Sequence, residues 1–557
     1  MSRNLFLCFL SALVIQFTAT AQDSPRQERG EIQDAEFIIR KDRVLTLPQH
    51  PRVFEKIPVL PRTEEKREYS YEAKNFHLDL KPVVTDTQPS QKGFAPNKPT
   101  LYHSFVKLGY GNYQSPLGEL YINNVESDYV NYRFSLKHQG FYQGPVDGKN
   151  SAESHTRIRL DGSIFQEEIE FFGNLGYNQD KYHFYGYTPV PGIEVLPDDI
   201  GQVLHTIQGN VGLRKINKEE LFNYAASLSL RLFNDNYRAR EHEVGIKASA
   251  GLRARDGRFR GGVDAEAYIS SPSDATYADF NRQYVKFFPY LAYGQENFNI
   301  TAGANLVVEN DIIPDKTSDF HIFPSLKASY HLSESFGLYA EAEGDVLRRT
   351  YFDFVMENPF LGPSDQLRNT VQKIQVDAGI MGAVNDALSY KTGIRFGEFE
   401  NMHFFGNHLS DSTRFQLVYD GLSQVLNYHV SVGWKYENWY KLQASANYYY
   451  YELSDIGSPW HRPEWEIDLD NAFMPGDKWI ITANANLLGG IQAINFQSGQ
   501  TTDLKAIIDL SAGVDYSFTP RFSAFVKGHN LLNQNYERYW NYRVRGIQGI
   551  GGISFKF

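Results

Sequence analysis

Alternation with a period of two runs through most of this chain and constrains its fold more than any other feature. In Val244-Gly-Ile-Lys-Ala-Ser-Ala-Gly-Leu252 every even position is apolar and every odd one is Gly, Lys or Ser. The same parity holds in Tyr224 to Leu232, Leu338 to Val346, Leu442 to Tyr450, Leu504 to Phe518 and Phe522 to Val526. Successive side chains of a strand point to opposite faces, so these are strands with one apolar and one polar side. Composition agrees. Tyr 36, Phe 39 and Gly 44 dominate where a helical chain would carry Ala, Leu, Glu and Lys, and the chain reads as all-β.

The spacing of turns gives the architecture. Short polar connections lie near Asn124, Gln166, Asn217, Gly257, Gln295, Ser333, Asp386, Glu437, Gly476 and Thr519, about 38 to 53 residues apart. Each interval has room for two strands of about ten residues and one longer loop, such as Asp180 to Gln202 or Arg348 to Gln372. Nine intervals hold 18 strands and two more at either end make about 22, with 20 to 24 allowing for a miscounted hairpin. Short turns on one rim and long loops on the other mark an outer-membrane barrel. A sandwich or propeller would alternate equally well. The chain's two ends favour closure in a membrane, where no backbone group can stay unpaired. Residues 101–557 are therefore read as a transmembrane antiparallel β-barrel.

Met1-Ser-Arg, the apolar run Leu5 to Val14 and the small-x-small Ala19-Thr-Ala21 make residues 1–21 a signal peptide. The chain's one cysteine, Cys8, lies inside it, so the mature protein has neither thiol catalysis nor Cys-ligated zinc. Residues 22–100 hold nine of the 24 prolines, with charge runs such as Glu64-Glu-Lys-Arg-Glu68 between them. They read as an extended, Pro-rich periplasmic segment. Within it Glu36, Phe37, Ile38 and Ile39 form an apolar stretch between charges, suited to adding as a strand to a partner's sheet edge. The net charge of −11 gives no nucleic-acid footprint.

The final Gly552-Ile-Ser-Phe-Lys-Phe557 alternates and ends on an aromatic, and it resembles the signal by which barrels are recognised for outer-membrane insertion. Phe555 and Phe557 are its aromatic positions. Upstream, Phe525-Val-Lys-Gly-His-Asn-Leu-Leu-Asn-Gln-Asn-Tyr536 resembles the last hairpin of TonB-dependent outer-membrane receptors, and Tyr542 to Gly552 is similar to that family's return into the final strand. The resemblance implies a 22-strand barrel in the outer membrane of a Gram-negative-type cell, surrounded by outer-membrane lipid and inserted by the barrel-assembly machinery. Members of the family carry a folded plug of well over a hundred residues before the barrel. Here 79 residues precede it, so the resemblance is to a receptor barrel lacking its plug. A lumen of this size is kept plugged in natural examples. Infolded loops, the N-terminal segment or a partner must then fill it.

Candidate sites are few. Tyr449, Tyr450, Tyr451, Trp460 and Trp465 could contact a ligand at the extracellular mouth or form part of the interface girdle. His403 and His408 could be a metal pair but have no third ligand nearby in sequence. Glu341, Glu343 and Asp345 share the polar face of one strand, where they either acidify the lumen or pair with basic neighbours. No nucleophile elbow, phosphate loop or metal signature is present, so no catalytic residue, cofactor or metal site is assigned and no enzyme is expected. Two functions remain open. One is transport across the outer membrane with the plug supplied in trans or replaced, and the other is a structural or assembly barrel of an outer-membrane complex with a periplasmic or membrane protein partner.

Overall fold

The computed structural model describes residues 103–557 apart from positions 125–126, 128, 218–219, 276, 278–279, 311–317, 365 and 386. The leader, the Pro-rich segment and the stretch Glu36 to Ile39 lie outside the described residues. Among the described residues there are 26 strands, of which Gln492–Asn495, Gln500–Asp503, Glu537–Tyr539 and Tyr542–Arg543 are short and belong to connections. The other 22 are antiparallel, and each pairs with its neighbours in the ring. The first, Ser104–Gly111, pairs with the last, Gln548–Lys556, and closes the barrel.

Apart from Asp386, which is outside the described residues, the positions read as tight turns fall in the connections of one rim or, for Asn124, Gln166 and Ser333, at the strand ends that bound them. Gln166 and Ile169 bound one of them, Ser333 and Phe336 another, Tyr436 and Tyr440 a third. Left-handed backbone tightens several: Gly257 at φ 73° and Gly476 at φ 76° take it without steric cost. Long connections, His183 to Gly201 and Leu347 to Thr370 among them, cross the opposite rim. In such barrels the short-turn rim is periplasmic and the long-loop rim extracellular. Phe557 sits on the short-turn rim, where its N–H donates to the Ser104 carbonyl at 2.9 Å.

Alternation sorts the side chains as the sequence requires. On Arg240–Arg253, Val244, Ile246 and Leu252 are 46%, 55% and 65% exposed on the outside, facing lipid. Lys247 and Arg253 have the opposite parity, and Lys247 reaches Glu266 of the adjacent strand at 3.4 Å. Aromatics gather at the periplasmic rim: Trp434, Tyr436, Trp439 and Phe473 form one chain of ring contacts. Trp479, Tyr516, Phe518 and Phe522 form another. Rings of this kind favour the level of the lipid headgroups.

Parity predicts opposite responses at adjacent positions. Ile246→Lys places a charge in lipid and should cost about 2–4 kcal/mol of folding free energy in bilayers, whereas Lys247→Gln removes a half-exposed ion pair and should cost under about 1 kcal/mol. Denaturant titration of the refolded barrel reads both. Equal losses would be incompatible with this assignment of faces.

Candidate functional site

The extracellular mouth is where chain, charge and aromatic rings converge. The connection between Phe336–Leu347 and Thr370–Val384 turns inward and carries a short helix, Tyr351–Glu357. Thr350 caps it: its side chain accepts from the Asp353 N–H while the Asp353 carboxylate accepts from the Thr350 N–H, a reciprocal capping box. The helix ends at Asn358, which is extended because Pro359 follows it. Tyr351, Phe354, Val355, Phe360, Leu361 and Leu367 are buried. They pack against wall and loop residues from around the ring, including Leu204, Phe233, Phe405, Phe415 and Tyr542. Phe360 stacks on Tyr542 with centroids 3.6 Å apart. Each fully buried ring or aliphatic chain contributes about 1.5–3 kcal/mol, so this cap is a hydrophobic core in its own right.

Charges on the wall fasten its edges. Glu241 accepts from the backbone N–H groups of Tyr351 at 3.2 Å and Phe352 at 3.0 Å, at the positive end of the helix. Arg231 lies 3.5 Å from Glu241 and 3.2 Å from Glu243, and donates to the Thr350 hydroxyl at 3.0 Å. Arg348 pairs with Glu243. At the helix end Glu357 bonds His403 at 2.7 Å, and Arg462 donates to the His403 carbonyl at 2.6 Å. Burial alone would raise the Glu357 carboxyl, but His403, Arg462 and Arg349 hold it well below the usual carboxylate range. Asn369 joins two further strands, accepting from Arg282 at 2.8 Å and donating to Glu309 at 2.9 Å.

His461, in the loop between Leu453 and Trp465, locks the cap from the other side. Its Nδ1 bonds the Phe405 carbonyl at 2.9 Å, and its Nε2 accepts from the Trp540 N–H at 3.3 Å. That arrangement admits the neutral ring alone. Burial pushes its pKa down to about 3, with Arg538 adding in the same direction.

The residues singled out in sequence are divided by the fold. Tyr449, Tyr451 and Trp460 are buried in a cluster with Phe399, Met402, Phe404 and Val425. Tyr451 donates to the Pro463 carbonyl at 3.1 Å. Tyr450 shares the outer face with Tyr448, whose ladder partner is Trp465. His403 is buried against Glu357, while His408 bonds Ser410 at 3.0 Å, so the two histidines are not brought together. Glu341 and Glu343 pair with Lys327, and Asp345 with Lys286 at 2.5 Å. Phe555 faces outward opposite Val106 and Phe522, and Phe557 is exposed beside it. Sequence reading missed Glu309, Asp319 and His321, whose ligand atoms lie within 4.8 Å of one another. Two of these contacts are already made within the protein: Asn369 donates to Glu309, and His321 lies 3.4 Å from it. Only the register, which sets Glu309 opposite Asp319, reveals the group.

A closed ring of 22 antiparallel strands with long loops on one rim is the fold of TonB-dependent outer-membrane receptors. Among solved structures, the chain is similar to the copper transporter OprC, with a TM-score of 0.62 and 14% identity over 83% of this chain and 82% of that one. It is similar to the pyoverdine outer membrane receptor FpvA from Pseudomonas aeruginosa PAO1, with a TM-score of 0.63 and 12% identity over 83% and 79%. It is also similar to the siderophore receptor PirA from Acinetobacter baumannii, with a TM-score of 0.63 and 10% identity over 82% and 80%. At these identities the likeness is one of fold. No family model and no curated protein matches the sequence.

The buried imidazole makes the cap sensitive to acid. Because the folded pKa of His461 lies below the ordinary value near 6.5, its contribution is intact above that pH and is lost as pH falls toward 3. The protection of residues 453–464 against hydrogen exchange, taken relative to the intrinsic exchange rate at each pH, should therefore fall between roughly pH 6 and pH 4. His461→Asn, which keeps a donor and an acceptor and tolerates the local φ of 60°, should flatten that dependence. An unchanged pH profile in the variant would rule out the histidine as its source.

Proposed function

We propose that this protein takes part in transport across the outer membrane, and that its own infolded loop performs at the extracellular mouth the blocking role that a separate plug performs elsewhere. The observation that carries the reading is the cap. A hydrophobic element held by side-chain contacts, ion pairs and a single backbone bridge, Leu361 to Phe415 at the end of one wall strand, can move without breaking the barrel. The charged, paired lumen beneath it suits polar cargo, and the reading requires no catalytic group. Replacing residues 351–363 with a short Gly-Ser linker should turn a quiet barrel into one of large, steady conductance in planar bilayers. A folded deletion variant that still passes no current would favour the alternative, a structural barrel holding an outer-membrane complex.

The chain ends enter as proposals of the same kind. Residues 1–21 direct export, residues 22–100 lie in the periplasm, and Glu36 to Ile39 dock onto a periplasmic or membrane protein. Phe555 and Phe557 present the barrel to the assembly machinery. Removing residues 31–61 should leave the barrel inserted but abolish co-purification of the partner, and Phe557→Asp should lower the amount of heat-modifiable barrel. Retention of the same partners in the first case, or unchanged levels in the second, contradicts the corresponding role.

A further inference from the structure

The outer wall is not chemically uniform around the ring. On the seven adjacent strands from Val130–Phe141 to Phe259–Ser273, outward positions are apolar for about ten residues from the short-turn rim, close to the ~25 Å band of such barrels. Ile158, Tyr177, Ile207 and Leu232 are ladder neighbours at the top of this band. Just beyond it the same outward parity brings His138, Thr156, Gln179, His205, Asn234 and Arg240, again neighbours across the ladder. Lys181 lies opposite Ser154, and His242 follows Arg240 on the same face. Lys181, Arg240 and His242 are exposed. None of the outward positions on these seven strands is acidic among the described residues.

Fixed donors lie between the cations. His138 bonds Thr156 at 2.9 Å and Tyr142 at 3.3 Å, His205 bonds the Tyr177 hydroxyl at 3.0 Å, and Arg240 donates to Ser273 at 2.8 Å. The far wall has the opposite character at its extracellular end. There Glu398, Glu400 and Glu452 face outward, and Lys373 pairs with Glu400 at 2.6 Å and lies 3.8 Å from Glu398. A cationic, donor-rich arc immediately above the apolar band meets the headgroups of the outer leaflet, whereas the acidic arc would repel an anion there. We infer that the rim carrying Lys181, Arg240 and His242 binds the phosphate groups of outer-leaflet lipid and orients the barrel among those lipids.

The test uses the full-length protein reconstituted in phosphatidylcholine vesicles with or without phosphatidic acid, and in phosphatidylcholine with added inorganic phosphate. Phosphatidic acid should raise the temperature at which the heat-modifiable band unfolds. In K181A/R240A/H242A that gain should vanish, with roughly thirtyfold less phosphorylated lipid co-purifying from outer membranes, as loss of two surface cations implies. K373A on the far wall should behave as the parent does. If the triple variant fails to insert, K181Q and R240Q separately should each reduce the retained lipid. Unchanged lipid retention in these variants would overturn the assignment, and so would equal protection by inorganic phosphate, which would mark a free-anion site.

Discussion

The pairing of the first strand with the last is the contact on which everything else depends. Left open, Ser104–Gly111 and Gln548–Lys556 would each expose a row of N–H and C=O groups to hydrocarbon, where an unsatisfied group costs several kcal/mol. Seven residue pairs from Phe105 opposite Lys556 to Gly111 opposite Ile550 remove both edges. Close approach at the seam requires glycine: a Cβ at Gly552 would stand 2.0 Å from the Leu108 carbonyl oxygen, and the Phe525 ring covers Gly109 and Gly552 in place of side chains. Phe555 and Ile553 continue the lipid face across it, opposite Val106 and Leu108.

Closure at 22 strands fixes a lumen too wide for wall side chains to fill. The inward half of the alternation must then be polar and mutually satisfied. Asp377 shows the pattern: Arg395 reaches it at 2.7 Å, His429 at 3.0 Å and the Tyr339 hydroxyl at 3.0 Å, from three different strands. Lys327 and Lys286 do the same for the three carboxylates of Phe336–Leu347. Wide lumen and hydrophobic cap are complementary consequences of one geometry, since the mouth is the level where loops are long enough to reach across.

What the sequence disclosed follows the range of the interactions. Strand faces and the short-turn rim depend on neighbours two residues apart and on local turn chemistry, and Val244 to Leu252 or Glu437 announce them directly. The run Tyr448 to Tyr451 is aromatic throughout, so only the alternation leading into it from Leu442 carries the parity that places Tyr449 and Tyr451 inside and Tyr448 and Tyr450 outside. The cap helix left a signal in Thr350-Tyr-Phe-Asp353 and in Asn358-Pro359, but a seven-residue helix in a long loop has no period to detect. Glu357, His403 and Arg462 are 46 and 59 residues apart along the chain, and only the folded ring makes them neighbours.

Wall and cap differ in what holds them. Breaking one strand pair of the wall exposes a dozen or so polar groups to lipid at once, so the ring yields only as a whole. The cap exchanges ring contacts, the Leu361 to Phe415 bridge and a few charged hydrogen bonds for water at the mouth, where solvation recovers much of the loss. Its edges depend on groups whose charge is set locally: Glu241 under the helix N-terminus, Glu357 between His403 and Arg462, neutral His461 against Trp540. Local opening at the mouth therefore costs a small part of what the barrel's unfolding costs, and it can be driven by any ligand or proton that binds the open arrangement better than the closed one.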